Sequence, residues 1–182
     1  MDNKDWSRLN VVVVGNAPLS SKERTKIESY DVVVRLNNMR NWIPGEKTTI
    51  LCTKSELWSQ VKSKISNETI VWTLKYKGLP SELRSHIGSK CEVIKRASGS
   101  SFKTHNSIYP KPEYSKYNDE GYRSSLGFRI FFYILQKKPK KLNYFGFTWT
   151  CGDCLASAKN NHRCHGGHHW RFEHDFMKNV KY

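Results

Sequence analysis

An α/β domain with a largely parallel sheet flanked by helices is the fold class this sequence predicts. Three observations carry that expectation. Short β-branched runs recur along the chain, stretches of helical character separate them, and 182 residues leave room for one compact domain. No internal repeat or linker divides it, so residues 1–182 are taken as a single domain.

LNVVVV (9–14) is short, apolar and β-branched, as a strand buried on both faces must be. It stops at Gly15-Asn16-Ala17-Pro18, a turn by residue type. Ser20 to Glu23 has the spacing of a capping box, which starts the first helix. DVVVRL (31–36) is the second strand, closing on Asn37-Asn38, and TTILCT (48–53) is the third. Thr53 to Glu56 repeats the box and opens a helix toward Ile65. TIVWTLK (69–75) and CEVIK (91–95) are further strands, with a short helix between them after Pro80. From Ala97 to Tyr122 the chain is rich in Ser, Pro, Tyr, Lys and Asn without a period, which suits a lid or binding loop. SSLGFRIFFYILQ (124–136) is a largely buried helix and KLNYFGF (141–147) a strand. A Cys/His segment follows, and a last helix begins near His169.

A net charge of +15 favours an anionic partner: nucleic acid, an anionic membrane surface or a phosphate-bearing metabolite. The run Lys137-Lys138-Pro139-Lys140-Lys141 reads as a helix end and turn. No apolar run approaches the roughly 18 residues of a membrane span, and MDNKDWSRLN is not a signal peptide. A soluble, cytoplasmic or viral protein is therefore expected. Five cysteines, an odd number without an export signal, point to reduced thiols or a metal site rather than a disulfide framework.

Four places carry candidate chemistry. The turn at Gly15, Asn16 and Ala17 sits where an open parallel sheet binds ligands, with a glycine for close approach and a helix N-terminus for an anion. Asn37, closing the second strand, can donate to a phosphate without adding charge. Ser124, Ser125 and Gly127 offer hydroxyls and free amides at the head of the apolar helix. The fourth place leaves two readings open. Cys151 and Cys154 have zinc-hairpin spacing that Cys164 with His162 or His165 could complete. Alternatively, His168 at the start of the last helix faces the ligand site as a general base, with Glu173 five residues on.

Together these pieces resemble the CMP-sugar-dependent sialyltransferases, glycosyltransferase family 29, in a short algal or viral form. The family's long motif is matched in order by Gly15, Asn16, Asp31, Arg35, Asn37, Gly45, Lys47, Thr48 and Thr49. The small motif is matched by Ser125, Gly127, Phe128, Gly146 and Phe147, and the very small motif H-x4-E by His168 and Glu173. Ser124 stands where the family often has Pro, and the small motif has no Cys to pair with Cys52. The resemblance implies a single-domain, Rossmann-like variant of the GT-A fold. It also implies inverting transfer of a sialic-acid-like sugar from a CMP-sugar to a glycan hydroxyl, with no cofactor or divalent metal. Consistent with that, no D-x-D occurs anywhere. By the same resemblance, Asn16 and Asn37 contact the ribose–phosphate, and Ser125 and the Gly127 amide hold the phosphate or sugar carboxylate. His168 deprotonates the acceptor, Glu173 orients the helix or His168, and His165 steadies the leaving phosphate. Two other functions stay open at this point: a small basic zinc-bearing nucleic-acid binder, and a degenerate relative that binds CMP without catalysis.

Overall fold

Valines 11–14 lie in a strand paired on both sides and are inaccessible to solvent. The computed structural model of the chain describes residues 5–73, 91–93, 125–148 and 170–180. Strand β1 (Asn10–Val14) pairs in parallel with β2 (Val32–Leu36) on one side, Val11 opposite Val32, and with β6 (Lys141–Phe145) on the other, Val11 opposite Leu142. Beyond β2 follow β3 (Ile50–Cys52), β4 (Ile70–Thr73) and β5 (Cys91–Val93), all parallel, in the order β5-β4-β3-β2-β1-β6. The chain walks outward from β1 to β5 and then resumes on the far side of β1. The order therefore reverses between β1 and β6, and such a reversal is where open parallel sheets bind ligands, outside the carboxyl ends of the strands.

Both faces of the sheet are covered, which is why β1 and β2 show no apolar–polar alternation. On one face Val11, Val13, Val34, Leu36 and Trp72 pack against helix α3 (Leu126–Leu135). The last helix, α4 (Trp170–Asn179), lies on α3, with Phe176 edge-on to Phe128 at 5.4 Å. The opposite face packs Val12, Val14 and Val33 against Ile27 of helix α1 (Ser21–Glu28), and Leu51 and Val71 against Trp58 and Val61 of helix α2 (Trp58–Val61). No helix among the described residues is long and apolar enough to cross a membrane.

The first capping box forms as expected: the Glu23 amide donates to Ser20 Oγ at 3.3 Å and the Ser20 amide to Glu23 Oε2 at 2.8 Å. The second does not. Thr53 is buried, and its amide donates to the Trp72 carbonyl at 3.2 Å, so the sheet holds the residue that was to cap a helix. The chain instead makes a 3-10 turn at Ser55–Leu57, the four-residue α2 without a side-chain cap, and a second 3-10 turn at Lys62–Lys64. The expected helix after Pro80 and the loop from Ala97 to Tyr122 lie outside the described residues.

One residue of β2 breaks its apolar run. Arg35 is 1% exposed, donates through Nε to the Lys47 carbonyl at 3.1 Å and pairs through Nη2 with Glu46 Oε2 at 3.1 Å. The other Glu46 oxygen pairs with Arg24 of α1. Nearby, Lys47 Nζ donates to the Tyr30 carbonyl at 2.5 Å, Thr49 Oγ1 accepts from the Val33 amide, and Asp31 Oδ2 accepts from the Asn10 amide at 2.7 Å. Removing one member of a buried pair leaves an uncompensated charge, which costs about 3–5 kcal/mol. Glu46→Ala is expected to lower the unfolding free energy from urea titration by an amount in that range, seen as a lower midpoint with the slope unchanged. The exposed Ile43→Ala should leave the unfolding free energy within about 0.5 kcal/mol of the parent.

Candidate functional site

The carboxyl ends of β1 and β6 meet through two glycines. The Gly15 amide donates to the Phe145 carbonyl at 2.8 Å and the Ala17 amide to the Gly146 carbonyl at 2.9 Å. A Cβ on Gly15 would lie 2.2 Å from Gly146 O and 3.2 Å from the Phe147 ring. Gly146 has φ +68°, a conformation that lets the chain turn sharply out of β6. The close approach expected at Gly15 is thus made by the protein's own backbone.

The turn after β1 is tied to the turn after β2. Asn41 Nδ2 donates to the carbonyls of Gly15 at 2.9 Å and Ala17 at 2.6 Å, and Asn16 Oδ1 accepts from the Arg40 amide at 3.1 Å. Within the β2 turn, Asn37 and Met39 are left-handed, with φ +53° and +51°. Asn tolerates that region, but Met there costs about 1 kcal/mol. Packing of the buried Met39 side chain with Leu51 and Trp58 holds it, as does Lys64 Nζ donating to the Asn38 carbonyl at 2.9 Å. The oxygens Asn37 Oδ1 and Asn41 Oδ1 are buried without a hydrogen-bond partner among the described residues.

Helix α3 begins against the same edge. A Cβ on Gly127 would lie 2.4 Å from the Phe147 ring and 3.1 Å from Leu36, so Phe147 touches the positions of both Gly15 and Gly127. Ser125 is the N-cap, its Oγ accepting from the Phe128 amide at 3.1 Å. The Ser125 amide and hydroxyl in turn donate to the two oxygens of Glu173 on α4, at 2.7 and 2.6 Å. Glu173 is 1% exposed and Ser125 6%. Burial pushes the Glu173 carboxyl up to about 7, against the two Ser125 hydrogen bonds and the positive charge of Arg129, which pull it down.

Gly15, Asn16, Ala17, Asn37, Ser125, Gly127 and Glu173 are therefore brought to one end of the sheet, although they span the chain from β1 to α4. Asn16 and Ser125 are both engaged with protein partners there. Ser124, His165, His168 and the alternative zinc ligands Cys151, Cys154, His162 and Cys164 lie outside the described residues. Among the described residues no group of three His, Cys, Asp or Glu side chains could hold a metal ion. Cys52 is buried and unpaired with any described cysteine, and burial pushes its thiol far up, which suits a core position. The sequence did not single out Asn41, Glu46 or Arg24. Asn41 carries no signal beyond a third asparagine in the run NNMRN, and the pairing of Arg24 with Glu46 across 22 positions has no local signature. No family model matches the chain, and no curated protein matches it significantly.

The Glu173 shift has a consequence for stability. Its carboxyl titrates near 7 in the folded chain against an ordinary 4.5, so the folded state holds the extra proton between those values. That contribution to stability is fully present below about 4.5 and is lost as pH rises through about 7. A melting series from about pH 5 to pH 8 is expected to show the parent losing stability with rising pH and Glu173→Gln losing less. Identical slopes for the two proteins would contradict the assignment.

Proposed function

We propose that the chain is an inverting, metal-independent glycosyltransferase that moves a sialic-acid-like sugar from a CMP-sugar to a hydroxyl of a glycan acceptor. The observation that carries this reading is the Ser125–Glu173 contact. It joins residues of the small and very small motifs, separated by 48 positions, at the sheet end where the long-motif residues Gly15, Asn16 and Asn37 also lie. The all-parallel sheet with its reversal between β1 and β6 supports it as well, since nucleotides bind at such points.

In this reading Asn37 Oδ1, an acceptor without a donor among the described residues, takes a ribose hydroxyl. The amides of Leu126 and Gly127 in the first turn of α3 face the donor phosphate or the sugar carboxylate, and the helix dipole favours either anion. His168, five residues before Glu173, takes the proton from the acceptor oxygen as that oxygen attacks the anomeric carbon from the side opposite CMP. The C–O bond to the phosphate breaks with its electron pair going to CMP. Fixed amides and basic side chains stabilise the charge that develops on the leaving group. With both carboxylate oxygens on Ser125, Glu173 sets where α4 begins relative to α3 and so positions His168.

CMP is expected to raise the melting temperature where AMP and GMP do not. His168→Ala should reduce sugar transfer by at least ~10²-fold while the CMP-induced shift persists. Transfer at the parental rate by His168→Ala would remove His168 as the base. The net charge of +15 favours one competing reading, a zinc-bearing nucleic-acid binder. That protein would carry one equivalent of zinc and lose nucleic-acid affinity steeply with salt.

A further inference from the structure

Ser125 has one hydroxyl proton, and the geometry commits it to Glu173. Its Oγ donates to Glu173 Oε2 at 2.6 Å and accepts from the Phe128 amide at 3.1 Å, while its own amide serves Glu173 Oε1 at 2.7 Å. With the carboxylate ionised, nothing on this hydroxyl is left to donate to a ligand. Adding one proton from solvent to Glu173 reverses the 2.6 Å bond. The carboxyl O–H then donates to Ser125 Oγ, which still accepts from Phe128, and the Ser125 proton is released to point elsewhere.

We infer that Glu173 is a positioning residue that takes up a proton when the anionic sugar nucleotide binds, turning Ser125 from a cap satisfied by the protein into a hydrogen-bond donor to the ligand. The inference rests on the transferase reading of the site. An anion arriving at the first turn of α3 meets a carboxylate already seated on Ser125 and excluded from water. Two like charges in such a setting cannot both stay ionised without a large penalty. Neutralising Glu173 removes the repulsion and supplies a donor in one step. Burial has already brought the free carboxyl up to about 7, and the charge of the ligand carries it further in the same direction. The charged groups around it do not prevent this. Arg129, one turn along α3, favours the ionised form, whereas the neighbours His174 and Asp175 are paired with each other at 3.1 Å.

The experiment is calorimetric titration of the full chain with CMP-sialic acid in two buffers of different ionisation enthalpy. The phosphodiester and carboxylate of this ligand do not titrate in the range used. About one proton should be taken up per ligand near pH 8, falling toward none near pH 6, where the free carboxyl is already protonated. Uptake should survive His168→Ala and vanish in Glu173→Gln. Ser125→Ala, which removes the released donor, should weaken binding about tenfold at pH 6 and less at pH 8, and it decides the matter if Glu173→Gln does not fold. Binding without proton uptake, or uptake lost with His168 and kept in Glu173→Gln, overturns the inference and leaves the transferase reading standing. A chain that binds no CMP-sugar sinks both.

Discussion

With the Gly146 carbonyl 2.2 Å from where a Gly15 Cβ would lie, the ends of β1 and β6 can meet only as glycine against glycine. The positions of the other site elements follow from that contact. Parallel pairing from Asn10–Lys141 to Val14–Phe145 brings the two strands to the same level, and the left-handed Gly146 then turns the chain so that Phe147 falls beneath the first turn of α3. Gly127 is needed there because the Phe147 ring occupies the space of a side chain. Ser125, two residues earlier, is consequently held over the reversal point of the sheet, and Glu173 closes it from α4.

The residues that carry the resemblance to the long sialyltransferase motif divide here into two kinds. Asp31, Arg35, Lys47 and Thr49 fasten strands, turns and α1 to one another, and Arg35 does so as a buried cation held between a carbonyl and Glu46. A buried ion pair contributes little net stability, yet it penalises any register that separates its members. That fits a segment whose task is to hold the β2 turn in a strained shape. Asn37 and Met39 occupy left-handed backbone at the candidate site, where such strain is commonly kept. Asn37 Oδ1 is one of two asparagine oxygens there that have no hydrogen-bond partner among the described residues.

Much of this architecture was legible in the sequence, because the signals are local. Four consecutive valines can only suit a strand covered on both faces, and Ser20 with Glu23 caps α1 through bonds that span three residues. Thr53 carried the same local signal and failed, since its amide belongs to a ladder whose other half, Trp72, lies 19 positions away. The described candidate residues gather at one end of the sheet, held there by contacts that have no local signature. Gly15 spares room for Gly146, and the Ser125 proton goes to Glu173. Glu173 looked like a companion of His168 by spacing, and only the packing of α4 on α3 brings it to Ser125 across 48 positions. Asn41 and Glu46 went unread because each acts on a partner at least 11 positions away, on turns whose proximity is set by the sheet.

The central claim is that one edge of the sheet, built from motif residues scattered along the chain, receives a cytidine nucleotide. Titrating CMP into the 15N-labelled protein and following backbone amides tests it directly. The largest shifts are expected at Asn16, Asn37, Leu126 and Gly127, with Lys138, Lys140 and Lys141, at the opposite end of the strands, unmoved. Shifts confined to those lysines, or none at saturating CMP, would contradict it.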